Sequence, residues 1–171
     1  MQNFRFLKSA GVVFTGLVCA GSIFASELPA GKAPEKLGTV RFAVSCNDAA
    51  QLHFNRAVAL LHSFYWTESR KALAEAAKED PACAMVHWAY AMNAMGNPYT
   101  WPLTGKALKD GMASLETARQ LSPRTERERD YIASAEYFFR DADKVPAQTR
   151  QLGYELAMAR LVNTYPDDME A

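Results

Sequence analysis

The sequence has no excess of either charge. Its 171 residues include 19 basic and 19 acidic side chains, which cancel. A protein that binds nucleic acid along the phosphate backbone needs a basic surface, so we expect no nucleic-acid partner. The chain also lacks a glycine-rich phosphate loop, an HExxH, CxxC or CxxCH motif and a nucleophile elbow. The sequence therefore predicts no cofactor and no catalytic centre, and we expect that the protein is not an enzyme.

Long hydrophobic runs are also scarce, and the clearest one lies near the N-terminus. Two basic residues precede an uncharged run at Ala10–Ala20. This run is shorter than the ~20 residues that a membrane-spanning helix needs. We predict that residues 1–25 are a secretory signal peptide, cleaved after Ala25 or after Ala20, with a membrane anchor as the alternative. The mature protein would then be periplasmic or secreted, with no membrane span.

Cysteine is rare, and export changes how the three cysteines are interpreted. Cys19 falls in the predicted signal peptide, which leaves Cys46 and Cys83. Two thiols in an oxidising compartment favour a disulfide. In a stack of helical hairpins the first and third helices are neighbours with their N-termini close together, and both cysteines lie near such a start. The alternative is a pair of buried free thiols that pack as small apolar side chains.

The segment before the helices is predicted as an extended linker, residues 26–46. Leu28–Gly38 is polar and contains Pro and Gly, which indicates a disordered lead-in. Val40, Phe42 and Val44 then alternate with less apolar residues. This alternation predicts a short extended piece that lies against the first helix and adds no sheet.

From Asn47 onward, apolar residues recur at spacings of three and four, which is typical of amphipathic helices. Asn47 or Asp48 is a suitable N-cap for the first helix and Thr67 for the second, and the fourth helix is expected to start at Thr104 or Gly105. The other predicted helices are Cys83–Met95, Arg124–Arg140 and Pro146–Thr164. In the last of them, Leu152, Leu156, Ala159 and Leu161 or Val162 are predicted to face inward.

Proline-containing joints recur at a nearly constant interval. Asp80-Pro81, Ser122-Pro123 and Tyr165-Pro166 are separated by 42 and 43 residues, and each follows a helix pair. At the first two joints we expect Asp80 or Ser122 to cap the next helix, with proline in its first turn. This periodicity indicates a repeat architecture. The joints divide the chain into three helix pairs and the start of a fourth, at about 47–80, 81–122, 123–165 and from 166.

Two of the predicted helices share one residue pattern. Phe54, Ala57-Val58 and Leu61 match Trp88, Ala91-Met92 and Met95, and Ala72, Ala76 and Pro81 approximate a second-helix pattern. In these positions the chain resembles the tetratricopeptide repeat family, which pairs helices over about 34 residues. The resemblance covers roughly residues 48–171. The phrases ALLHSF, DPACAM and YPDDMEA are similar to an uncharacterised group of larger, exported bacterial tetratricopeptide proteins, so we expect this chain to be an N-terminal fragment.

The resemblance implies an all-α, right-handed superhelix of about three stacked helix hairpins. The first helices of such hairpins line a concave groove that binds peptides or partner proteins. Asn55, His62 and Asn93 are the candidate groove residues here. The family's clamp for a terminal carboxylate needs Lys or Arg on the first helices of successive hairpins. The first helix of the second hairpin, Cys83–Met95, has neither. The implied function is a non-catalytic scaffold for an unknown protein or peptide in the periplasm or cell envelope.

Two alternatives stay open. His62, His87 and Met92 have side chains that suit copper or haem iron in an exported protein. The same residues also fit an ordinary interior, where methionine fills gaps and histidine makes hydrogen bonds. The chain is also compatible with being the scaffold part of a larger enzyme.

Overall fold

The computed structural model describes residues 36–171, and this part of the chain is all-helical, as predicted. It contains a short 3-10 helix at Pro98–Thr100 and no strand. The signal-peptide prediction, and the linker prediction as far as residue 35, lie outside the described residues. The α-helices are α1 Asp48–His62, α2 Trp66–Glu79, α3 Ala84–Met95, α4 Gly105–Gln120, α5 Glu126–Phe139 and α6 Ala147–Thr164.

The helices pack as consecutive hairpins. α1 packs on α2, α3 on α4 and α5 on α6, and further contacts join α2 to α3 and α4 to α5. α3 also touches both α1 and α5, so the odd-numbered helices are successive neighbours. Such contacts bury an apolar stripe that a single amphipathic hairpin would leave exposed. The fully buried side chains include Phe54, Leu73, Met85, Leu115 and Ile132.

Two of the predicted helix starts are confirmed. The Asn47 side chain accepts a hydrogen bond from the Ala50 N–H at 2.8 Å. The Thr104 side chain likewise accepts one from Ala107 at the start of α4. Each cap satisfies a backbone donor that has no partner within the helix. The prediction for Thr67 is wrong, because α2 begins at Trp66 and its cap position is Tyr65, two residues before Thr67.

The cap-plus-proline prediction is wrong at both joints. Asp80 accepts hydrogen bonds from the N–H group of Ala82, within the turn, and from that of Asn47, at the start of α1. Cys83 is the residue that precedes α3. Ser122 adopts a left-handed backbone, with φ of 55°. A residue in that conformation reverses the chain after α4 and does not begin a helix. The cap of α5 is Thr125 instead.

The inward face of α6 also differs from the prediction. Leu152 and Leu156 are 52% and 51% exposed, and Ala159 is exposed as well, whereas Leu161 is buried as predicted. The buried residues of α6 are Arg150, Ala157 and Leu161.

The side of α6 that faces α5 is determined by a charged residue. Arg150 is buried and donates hydrogen bonds to the carbonyl groups of Phe138 and Val145. These carbonyls lie at the end of α5 and in the turn that follows, where backbone acceptors lack helical partners. Arg150 points toward these carbonyls, and Leu152 and Leu156, which lie on other sides of α6, point outward.

Candidate functional site

The N-terminal segment, defined here as residues 40–45, lies across the odd-numbered helices. It contains no helix or strand, and Phe42 is only 1% exposed. The centroid of its ring lies 5.5 Å from that of Phe54, 5.3 Å from Trp88 and 4.9 Å from Tyr131. α1, α3 and α5 therefore each contribute one aromatic ring. The rings of Phe54 and Trp88 meet Phe42 edge-on, at 78° and 71°, an arrangement that aromatic pairs prefer.

A cation completes this aromatic cluster. The guanidinium carbon of Arg127 lies 4.5 Å from the centroid of the Phe42 ring and 5.0 Å from that of Tyr131. Stacking of a guanidinium on aromatic faces is favourable because the ring face is electron-rich. Arg127 Nη1 also donates a hydrogen bond to the carbonyl oxygen of Ala43 at 2.8 Å. One side chain thus contacts both the anchor ring and the backbone of the segment.

Gln51 on α1 contacts the backbone of the segment at two points. Its Nε2 donates to the carbonyl oxygen of Phe42, and its Oε1 accepts from the N–H of Val44, each at 2.9 Å. Gln51 Nε2 also donates to Oδ1 of Asn55, one turn further along α1, at 2.9 Å. Asn55 therefore helps to fix the orientation of the amide that contacts the segment.

Glu128 on α5 contacts the end of the segment. Its two carboxylate oxygens accept hydrogen bonds from the backbone N–H and the hydroxyl of Ser45, each at 2.6 Å. The N–H groups of Arg124 and Thr125 also donate to this carboxylate. Burial alone would raise the pKa of Glu128, but the hydrogen bonds from Ser45 and Thr125 outweigh it and hold the pKa below its ordinary value.

The polar contacts are made mainly with the backbone of the segment. Side chains of the helices bind one backbone group of each of four consecutive residues, namely the carbonyls of residues 42 and 43 and the N–H groups of residues 44 and 45. Arg41 and Ala43 point to solvent, whereas Val40 and Val44 are half-buried against the core. The predicted alternation in an extended piece against the first helix is confirmed. Phe42 and Ser45 are the residues whose side chains are specifically held.

A disulfide fixes the chain immediately after the segment. Cys46 and Cys83 are bonded, with their Cα atoms 5.2 Å apart, as the sequence predicted. Cys83 is the residue that precedes α3. The end of the segment is thus covalently attached to the start of the middle odd-numbered helix.

The C-terminal residues contact the same side of the helices. Asp168 Oδ2 lies 2.6 Å from Arg127 Nε and accepts a hydrogen bond from the Tyr131 hydroxyl at 2.8 Å. Burial and this hydrogen bond both raise the pKa of Tyr131. Burial would raise the pKa of Asp168, but its hydrogen bonds with Arg127 and Tyr131 lower it. Arg127 and Tyr131 therefore connect residues 40–45 with the end of the chain.

The three predicted groove residues lie in different places. Asn55 supports Gln51 and belongs to the surroundings of the segment. His62, at the other end of α1, lies 2.9 Å from the carboxylate of Glu170. Asn93 is buried and donates to the backbone carbonyl of Trp66 at the start of α2. It therefore ties one hairpin to the next and does not face the segment.

The candidate metal ligands also have separate surroundings. His62 contacts Glu170, and the Sδ of Met92 lies 3.9 Å from the hydroxyl of Tyr154. His87 is half-buried beside the ring of Tyr90, and its burial lowers its pKa. Among residues 36–171, no group of three or more His, Cys, Asp or Glu side chains is arranged to hold a metal ion.

Sequence reasoning missed four residues that hold the segment: Gln51, Arg127, Glu128 and Tyr131. One signal for Glu128 was present. Thr125 and Glu128 form the spacing of a capping box, in which the two side chains satisfy each other's backbone N–H groups, and the structure contains that box. For Gln51, Arg127 and Tyr131 the sequence carries no local signal, because their partners in residues 42–44 are distant from Arg127 and Tyr131 and lie outside the helix of Gln51.

Comparison of the chain with models of known families, with curated proteins and with solved structures finds no match. The tetratricopeptide resemblance therefore stays a prediction that depends on the residues quoted above. Within residues 36–171, none of the helices combines the length and the apolar character that crossing a bilayer requires.

Proposed function

We propose that the protein is an exported, non-catalytic scaffold of the tetratricopeptide type, which binds an extended segment of a partner protein on its odd-numbered helices. The observation that carries this proposal is the seating of residues 40–45. α1, α3 and α5 hold that segment through an aromatic pocket and through polar side chains that bind its backbone. A surface with these contacts has the chemistry needed to bind other extended chains.

The disulfide supports the proposed location. A bond between Cys46 and Cys83 persists in an oxidising compartment such as the periplasm or the extracellular space. The order of helix contacts supports the proposed superhelix, because α1, α3 and α5 follow one another as neighbours. In a right-handed array of hairpins these helices would line the concave side.

Site-specific photocrosslinking in the native cells tests this function. A photoreactive amino acid is placed at Asn55 or His62, which lie along the odd-numbered helices, and at Lys71 or Lys109 as matched controls. Both lysines are exposed and belong to the even-numbered helices α2 and α4. We expect the same protein adduct from Asn55 and His62 and none from the two lysines. Equal adducts from all four positions, or none from any of them, would contradict the proposal.

A further inference from the structure

We infer that residues 40–45 are a built-in occupant of the partner site, and that the partner supplies an extended segment with an aromatic residue followed three positions later by Ser or Thr. This inference rests on the proposed function and specifies its ligand. The occupant defines the class of ligand, because each contact it makes is a contact that the partner must replace.

The aromatic requirement follows from the shape of the pocket. Phe42 enters a space bounded by Phe54, Trp88 and Tyr131 and covered by the guanidinium of Arg127. A smaller side chain would leave a void in this buried space, and voids in tightly packed interiors are costly. An aromatic ring of the size of phenylalanine is therefore needed at this position of the ligand.

The hydroxyl requirement follows from Glu128. Its carboxylate is buried and directed at residue 45, where it accepts from both a backbone N–H and a side-chain hydroxyl. A buried carboxylate without its donors is strongly unfavourable. A ligand with Ala at that position would satisfy only one of the two bonds. The positions between the aromatic residue and the hydroxyl are less restricted, because Ala43 is exposed and Val44 is half-buried.

The covalent attachment explains why the site is filled. Because Cys46 is bonded to Cys83, residues 40–45 stay next to the site at all times. A short tether of this kind gives an effective concentration on the order of millimolar. A partner segment must compete with this occupant, so its binding is weak until residues 40–45 are displaced. The segment thereby regulates access to the odd-numbered helices.

Peptide binding to the full chain tests the inference. The probe is a fluorescent peptide of sequence TVRFAVS, which reproduces residues 39–45, and anisotropy measures its binding to the wild type and to Phe42→Ala. We expect the peptide to bind Phe42→Ala roughly tenfold more tightly than the wild type, or better. Replacing the phenylalanine of the peptide by alanine should weaken its binding to Phe42→Ala by a similar factor. Gln51→Leu added to Phe42→Ala should weaken binding, whereas Leu52→Ala, a substitution at an exposed neighbour on α1, should not.

Three results would overturn the inference. The first is a folded Phe42→Ala chain, with its disulfide intact, that does not bind the peptide. The second is equal binding of the peptides with and without phenylalanine. The third is a concentration-dependent dimer of the wild type that Phe42→Ala abolishes, which would assign the site to a second copy of the chain. If Phe42→Ala does not fold, Phe42→Leu serves with the same readouts, because it leaves a smaller void.

The two proposals fail in distinguishable ways. A partner crosslinked at Asn55 and His62, together with no peptide binding by Phe42→Ala, would contradict the inference and leave the proposed function standing. Peptide binding by Phe42→Ala without any crosslinked partner would contradict the proposed function and leave the ligand preference of the site established.

Discussion

Glu128 accepts two hydrogen bonds of 2.6 Å from Ser45, a residue 83 positions earlier in the chain. This carboxylate is buried, and within residues 36–171 its hydrogen-bond donors are backbone N–H groups and a hydroxyl. The contact therefore needs the ionised form of Glu128. Its strength must depend on pH.

We predict that acid weakens the fold partly through Glu128. Because its pKa in the folded chain is lowered, its contribution is complete above the pKa of the unfolded chain and is lost as the pH falls through the folded pKa. Glu128→Gln should lower the free energy of unfolding near neutral pH by about 1–3 kcal/mol and reduce its decline in acid. Urea denaturation at a series of pH values measures both effects. Glu126→Gln, at an exposed position in the same turn, is the control and should change neither.

The disulfide should stabilise the protein chiefly by limiting the unfolded chain. It joins residues 37 positions apart, and closing a loop of that size contributes about 3–4 kcal/mol on the chain-entropy model. The double variant Cys46→Ser, Cys83→Ser should lose that amount in urea denaturation, and the reduced wild type should behave in the same way. Thiol titration of the denatured, unreduced protein checks the bond itself. Two free thiols in that titration would disprove the disulfide.

α4 and α5 approach each other closely at Gly111, so we expect that a larger residue at this position destabilises the fold. Gly111 is buried, and a Cβ added there would overlap the ring of Phe139, which is itself buried and unable to move freely. Gly111→Ala should therefore cost about 1–3 kcal/mol through overpacking. Gly105→Ala is the control, because a Cβ at Gly105 meets no atom within 4 Å. It should stabilise the protein by about 0.4–1 kcal/mol. Thermal unfolding of both variants separates these outcomes, and equal shifts would refute the packing described here.

The Tyr131 hydroxyl should contribute more to the free energy of unfolding than the Tyr154 hydroxyl. Tyr131 donates to the carboxylate of Asp168 at 2.8 Å, whereas the Tyr154 hydroxyl has a methionine sulfur 3.9 Å away. Hydrogen bonds to charged groups contribute about 1.5–3 kcal/mol, so Tyr131→Phe should lower stability by that amount. Tyr154→Phe should cost less than about 1 kcal/mol, because a thioether is a weak acceptor. Urea denaturation of the two variants compares them, and a larger loss for Tyr154→Phe would be inconsistent with the structure.

Helix identity and most buried faces could be predicted because they depend on local periodicity. Phe54, Trp88 and Met95 stand at helical spacing in the repeated residue pattern, and all three are buried. Asn47 was identified as a cap because a short polar side chain before an apolar run satisfies a free backbone N–H. The disulfide followed from the expected proximity of two helix starts.

Other features could not be predicted because they depend on contacts between distant residues. Leu152 and Leu156 have the spacing of a buried stripe, but the hydrogen bonds of Arg150 to carbonyls outside its helix turn that stripe outward. Glu128 looks like a solvent-facing charge until Ser45 is brought to it by the chain reversal. The occupied site was missed for the same reason, since its parts come from α1, α3, α5 and residues 40–45.

The central claim is that the backbone of residues 40–45 is bound by side chains of the odd-numbered helices, and amide hydrogen exchange measured by NMR tests it most directly. The N–H groups of Val44 and Ser45 donate to Gln51 and Glu128, so both should exchange much more slowly than in an unstructured peptide. Gln51→Leu should accelerate exchange at Val44 and affect Ser45 less. Exchange of both amides at the rate of an unstructured peptide in the wild type would contradict the account.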